Sequence, residues 1–346
     1  MSDSSDPIRD VWQADASDLF FMAQVSHAFA VLPFAFPDQE GAPRIWFPDY
    51  FCNGALAALR RSGAEIVFYP VDLDLRPDWA ACAAMAEDRP PGVFVLVHYM
   101  GTRGDIETAR AFCDATGARL LEDATQLLRP VGGIGSLGDF VCYSPRKFFD
   151  IPHGGLLVVR RAEDALRVEA TLRTIPHRSP PTLKWRLRRI ERALASWLRP
   201  GRRRRKQLAP VRLADVRPEP QPFDEAFMGA VARDALARAL RRGMADEIAR
   251  RRLRYESIVR DYVEGRDDLS LPVKPANAVS CWIGVTCRDP ARAQDALDDL
   301  RSHGFPTVPW PNQLPPETIE RDGHERAVAL RRTTFIVALP GRPADF

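Results

Sequence analysis

LLEDATQLLRPVGGIGSLGDFVCYSPRKFFDIPHGG, residues 120–155, is the stretch on which the reading of this chain turns. One apolar run ends in an acidic residue, Asp123, and another ends in the tetrad Ser144-Pro145-Arg146-Lys147; the pair Gly154-Gly155 follows. These are a carboxylate, a hydroxyl and a primary amine placed at strand ends. Pyridoxal phosphate needs such a set: a carboxylate for its ring nitrogen, a hydroxyl for its phosphate and an amine for its aldehyde.

Lysine usage points to the amine. Of 49 Lys and Arg residues only Lys147, Lys184, Lys206 and Lys274 are lysine, so arginine serves wherever charge alone is wanted. Arginine cannot replace a lysine that must lose its proton and attack a carbonyl. Lys184 and Lys206 fall in a basic run and Lys274 in a Pro-flanked loop, which leaves Lys147 as the candidate nucleophile. The plain alternative for Lys147 is a lysine in a polar loop, and for Asp123 a helix N-cap.

At 346 residues the chain can bury a sizeable core and form two domains. Its 45% hydrophobic and 27% charged content is that of a soluble globular protein. No apolar run is long enough to cross a bilayer, and the polar start MSDSSDPIRD is not a secretory signal, so a cytoplasmic protein is expected. Six cysteines show no CxxC pair or metal-ligand spacing and read as reduced thiols, with no metal site.

Strand-length apolar runs alternate with helical patterns. Strands are expected at 44–47, 65–71, 92–99, 119–122, 139–144 and 155–160, with helices at 53–62, 78–87 and 105–116. Strands apolar on both faces and separated by helices describe a mostly parallel sheet covered on each side, the middle of a three-layer α/β domain. Ligands bind such sheets at the carboxyl ends of strands, where Asp123 and Ser144 fall. Helical sequence then runs to about residue 264. A strand at 278–287, a helix at 289–303 and a strand at 334–339 form a smaller α+β domain. The expected division is 1–175 for the large domain, 176–215 for a basic insertion and 216–346 for the small domain.

With these residues in view, the chain resembles the DegT/DnrJ/StrS family of sugar aminotransferases, of the aspartate-aminotransferase class (fold type I). Glu122-Asp123-Ala124-Thr125-Gln126 is similar to the family's E-D-A-[AS]-Q, Gly135-Ser136-Leu137-Gly138-Asp139 to its G-S-x-G-D, and Lys147 with Gly154-Gly155 to its Schiff-base lysine and glycine pair. Upstream, Pro48–Asp72 and the VHYMG stretch from Val97 resemble the family's P-x-[FY]-T and VHLYG segments. The resemblance covers roughly residues 44–160 well and 225–340 weakly. It implies bound pyridoxal 5'-phosphate, a homodimer, a nucleotide-linked keto-sugar as acceptor and an amino acid such as glutamate as donor.

It also implies roles. Asp123 pairs with the ring nitrogen, and Gln126 hydrogen-bonds near the ring hydroxyl or the substrate. Ser144 donates to the phosphate. Lys147 forms the Schiff base and then moves a proton. Ser26, opening SHAFAVL, offers a hydroxyl and helix-start amides to the phosphate. His98, Arg146, His153 and Trp310 are candidates to line the substrate pocket.

Three departures stand out. The N-terminal phosphate loop reads AQVSHAF, without glycine. Cys142 stands five residues before the lysine, where the family has serine, and Ser144 stands three before it. The partner-subunit Gly-x-Asn-x-Arg pattern is missing around Asp224–Ala230. A catalytically impaired protein of the same fold, with a scaffold or membrane-associated role in polysaccharide biosynthesis, is therefore the alternative function. A serine nucleophile of the Ser-x-x-Lys kind would need S-D-N and K-T-G elements, which this sequence lacks.

Residues 184–206, KWRLRRIERALASWLRPGRRRRK, hold eleven cations and one acid, so the remainder of the chain is net negative. Leu183, Leu187, Ile190, Leu194, Trp197 and Leu198 lie on one helical face. Two readings follow: the face packs on the protein or a partner subunit, or it docks on an anionic membrane. Nucleic-acid binding is not indicated, because no stacking platform or second basic groove accompanies the run.

Overall fold

A computed structural model describes residues 6–13, 16–36, 44–198, 210–216, 224–274 and 279–339. The basic tail 199–206 of the insertion and the chain end after Leu339 lie outside the described residues.

Seven strands make the large sheet: β1 (Asp18–Met22), β2 (Arg44–Pro48), β3 (Glu65–Tyr69), β4 (Val93–Val97), β5 (Arg119–Asp123), β6 (Phe140–Tyr143) and β7 (Gly155–Val159). Their spatial order is β1-β7-β6-β5-β4-β2-β3, with β7 alone running against its neighbours. The helices in chain order are α1 (Pro7–Trp12), α2 (Val25–Ala35), α3 (Ala57–Ser62), α4 (Trp79–Asp88), α5 (Ile106–Thr116), α6 (Ala162–Arg173), α7 (Leu183–Leu198), α8 (Ala230–Arg241) and α9 (Met244–Tyr262), then α10 (Ala293–Ser302), α11 (Pro316–Glu320) and α12 (Glu325–Thr333). Helices α3, α4 and α5 cross over between parallel strands, as the expected alternation requires.

Local chemistry sets these boundaries. The Asp78 carboxylate accepts from Ala81 N–H at 3.2 Å and caps α4. Gly117, at φ 75°, takes the left-handed turn that ends α5. All five residues of β4, VFVLV, are buried, as a central strand covered on both faces must be. Sequence patterning did not reveal β1, a five-residue edge strand that pairs antiparallel with β7 in the register Met22–Gly155.

The small sheet is antiparallel in the order β10-β11-β9-β8, built from β8 (Leu269–Ser270), β9 (Trp282–Cys287), β10 (Thr307–Pro309) and β11 (Thr334–Ala338). Ile258 and Val259 of α9 and Leu297 and Leu300 of α10 cover it, burying Ile283, Val285, Phe335 and Val337. Of the strand expected at 278–287, Trp282–Cys287 forms β9 and Ala278 lies outside the described residues. Helix α8 packs with Ile8, Leu19 and Tyr143 in a second core on the large sheet. The two sheets meet where Leu128 N–H donates to Val279 O at 3.0 Å and Cys281 N–H to Gln126 O at 3.1 Å. Residues just past Asp123 are thereby stitched to the small domain.

His153 joins β7 to α8. It is 1% exposed, and its Nε2 accepts from Gly229 N–H at 3.1 Å. Burial pushes its pKa down to about 4. The unfolded chain, with a histidine pKa of about 6.5, then binds the proton first, so stability falls as pH drops from 6.5 toward 4. The loss reaches about 3 kcal/mol at most. Urea unfolding at successive pH values should show that slope in the wild type and a shallower one in His153→Gln.

Candidate active site

The carboxyl ends of β5 and β6 bring Asp123 and Lys147 together through one residue. Thr125 N–H donates to Asp123 Oδ1 at 2.9 Å, and Lys147 Nζ donates to Thr125 Oγ1 at 3.1 Å. Lys147 reaches back because Pro145–Lys147 forms a tight 3-10 turn in which Lys147 N–H donates to Ser144 O at 3.0 Å. Burial lowers the Lys147 pKa from the ordinary lysine value, opposed by Cys281 and Asp123. A lowered pKa is what a nucleophilic amine needs.

Two polar atoms in this corner have no protein partner among the described residues. Asp123 is 5% exposed, yet its Oδ2 accepts no hydrogen bond, and Ser144 is 3% exposed with no bond to its Oγ. Neither atom is sealed from solvent, so both stand open at a strand end, where ligands bind such sheets. A carboxylate oxygen, a hydroxyl and a low-pKa amine fit the ring nitrogen, phosphate and aldehyde of pyridoxal phosphate.

The glycine pair shapes the other wall. A Cβ on Gly155 would lie 2.6 Å from Val25 N and 2.7 Å from Gln24 C, so glycine lets the start of α2 close on β7. Strand register sets Gly155 beside Met22 and Leu156 beside Tyr143, which places the α2 start at the same sheet edge as Ser144. Ser26 sits in that first turn, 7% exposed, with Oγ 3.5 Å from Gln24 Oε1. Its position suits an anion at the N-terminus of an eleven-residue helix.

Glu122 has a role that sequence reasoning did not assign. Its carboxylate is fully buried and accepts from Gly135 N–H (2.5 Å), Gly138 N–H (2.6 Å), Leu137 N–H (3.1 Å) and His98 Nε2 (2.9 Å). Gly104 N–H donates to His98 Nδ1 at 3.0 Å, which fixes the hydrogen on Nε2. Glu122 therefore organises the G-S-L-G-D loop, and a Cβ on Gly138 would meet Phe140 O at 2.6 Å. Asp139 completes the frame by accepting from Leu120 N–H at 2.8 Å and Arg110 at 2.9 Å.

The remaining candidates divide. Gln126 does not offer its carbonyl to a ligand: Oε1 accepts from Met100 N–H at 2.7 Å and from Trp282 Nε1 at 3.0 Å. The second bond holds the Trp282 ring 5.1 Å from Lys147 Nζ, so the small domain supplies an aromatic wall that no local sequence signal announced. His98 is fully buried on Glu122 and His153 on Gly229, so both act in packing rather than lining a pocket. Trp310 packs edge-on against Tyr50, whose hydroxyl donates to Trp310 O at 2.6 Å. Arg146 stays partly exposed beside Lys147.

Comparison with known proteins bears on the fold. Residues 49–175 match the model of the DegT/DnrJ/EryC1/StrS aminotransferase family. No curated protein matches the chain. Among solved structures, the aminotransferase TlmJ from Streptoalloteichus hindustanus superposes with a TM-score of 0.61 at 20% identity, over 94% of this chain and 82% of that one. Helicobacter pylori PseC, an aminotransferase of pseudoaminic acid biosynthesis, gives 0.65 at 12% identity over 96% and 83%. DesI, solved with its TDP-sugar product, gives 0.65 at 17% identity over 97% and 80%. The fold is that of the pyridoxal-phosphate aminotransferases, and its segment 49–175 carries the signature of the DegT/DnrJ/EryC1/StrS aminotransferase family.

Proposed function

We propose that this chain is a pyridoxal-phosphate-dependent aminotransferase that moves an amino group from an amino acid such as glutamate to a nucleotide-linked keto-sugar, as a homodimer. The observation that carries the reading is the Asp123–Thr125–Lys147 linkage at the carboxyl edge of the sheet. Bound there, the cofactor would supply an aldehyde for the incoming amine and a ring that draws electrons from the adjacent C–H bond.

The chain's own residues do the rest. Asp123 Oδ2 would accept the ring N–H and keep that nitrogen protonated. Ser144 Oγ and the first turn of α2, with Ser26, would hold the phosphate. Lys147 Nζ would be the amine that holds the aldehyde and the group that takes and returns a proton at the substrate carbon. Thr125 Oγ1 steers Nζ between these tasks, and Trp282 shields the amine from water. Nothing in these roles selects the sugar; that part rests on the family resemblance and on relatives such as PseC and DesI.

The test is the half-reaction. Protein loaded with the cofactor should convert L-glutamate to 2-oxoglutarate stoichiometrically, then pass nitrogen to one of a panel of nucleotide-linked keto-sugars. If no amino acid among the common donors gives up its nitrogen, the second reading stands: a non-catalytic protein of the same fold. One observation favours that reading, namely that Trp282 covers Lys147 while Gln126 is committed to holding it there.

A further inference from the structure

Helix α7 stands on the protein by one side and shows the other to solvent. Its footing is polar. Trp185 Nε1 donates to Asp150 Oδ1 at 3.0 Å, Arg192 reaches the same carboxylate at 3.4 Å, and the Arg189 guanidinium lies 4.8 Å over the Trp185 ring. At about 100° per residue these three side chains fall within an arc of roughly 60°. Leu183, Leu187, Ile190 and Leu194 fall within another arc of about 60°, on the opposite side.

The second arc is bare. Leu183 is 66% exposed, Leu187 50%, Ile190 56% and Leu194 53%. Single exposed aliphatic residues need no explanation, but four in a row about 17 Å long do. The reading that this face packs on its own protein body is thus not what the structure shows.

The flanks of the row identify its occupant. Glu191 and Lys184 border it on one side, with Arg188 beyond them, and Arg186 borders it on the other; α7 holds five cations against that single acid. An apolar row on a helix with five cations and one acid matches a surface that is apolar below and anionic above. No described helix is long and apolar enough to cross a membrane, so the contact is one of the surface.

We propose that α7 docks this protein on anionic lipid bilayers: Leu183, Leu187, Ile190 and Leu194 enter the acyl boundary, and Lys184, Arg186 and Arg188 extend back to the lipid phosphates. The footing on Asp150 then fixes how the rest of the molecule sits over the surface. The inference is independent of the proposed activity.

Flotation of the full chain with vesicles tests it, using phosphatidylcholine alone and phosphatidylcholine mixed with phosphatidylglycerol. Wild-type protein should float with the mixed vesicles and lose binding as salt rises. The double variant Leu187→Asp/Ile190→Asp should lower partitioning by at least ~10-fold, because two buried aliphatic side chains are lost. The triple variant Lys184→Gln/Arg186→Gln/Arg188→Gln should lose the preference for the anionic lipid. Both change exposed side chains, and far-UV circular dichroism checks that they fold. The proposal is overturned if wild type stays unbound on mixed vesicles or if the double variant floats equally well. It is equally overturned if sedimentation velocity shows that the double variant splits an oligomer and wild type does not float, which would assign the row to a second copy.

Discussion

Replacing Lys147 by alanine is expected to reduce amino transfer by on the order of 10⁴-fold or more, because nucleophile and proton carrier vanish together. Lys147→Arg should be equally inactive. Its guanidinium can keep the charge and the contact with Trp282, but it cannot surrender a proton at any working pH. Lys184→Arg, on the exposed helix α7, should leave the rate unchanged. Glutamate half-reaction rates for the three variants make the comparison, and an active Lys147→Arg would contradict the assignment. Asp123→Asn should fall between these limits, since the amide still accepts a hydrogen bond but no longer carries the charge that keeps the ring nitrogen protonated.

The second large effect is structural. Glu122→Ala should destabilise the protein by about 3–5 kcal/mol, because it removes a buried carboxylate and leaves its donors unpaired. Those donors are three loop N–H groups and the His98 Nε2–H. Glu122→Gln keeps one acceptor but turns an NH₂ toward the same donors, so it recovers only part of the loss. Urea unfolding of the three proteins measures this, and a cost below about 1 kcal/mol for alanine would mean that the loop holds its shape without the carboxylate.

Much of this arrangement is legible in residues 120–155. Asp123 and Lys147 stand out because strand ends in a mostly parallel sheet face one edge, and because a chain poor in lysine keeps one beside a serine. The central strands are legible too, since short continuous apolar runs such as VFVLV, rich in β-branched residues and bounded by turn residues, fit a strand covered on both faces. What stays hidden depends on pairing across sequence distance. Trp282 reaches Lys147 only because the small domain is stitched to the segment after Asp123. Gln126 reads as a ligand contact until its oxygen is found between Met100 N–H and Trp282 Nε1. Glu122 looks like part of a motif, and only the folded loop shows it as the acceptor that shapes Gly135–Gly138. Edge strand β1 carries too short a pattern to announce itself. For α7, periodicity shows an apolar face without saying which way it points; Trp185 and Arg192 on Asp150 decide that.

The central claim is that Lys147 holds pyridoxal phosphate, and borohydride trapping tests it most directly. Purified protein is mixed with the cofactor, its visible absorbance recorded, the sample reduced with borohydride, and the peptides read by mass spectrometry. The account predicts a Schiff-base band that borohydride abolishes, with the reduced cofactor fixed on the peptide containing Lys147 and absent from Lys147→Ala. No band in wild type, or label spread over Lys184 and Lys274 instead, would contradict it.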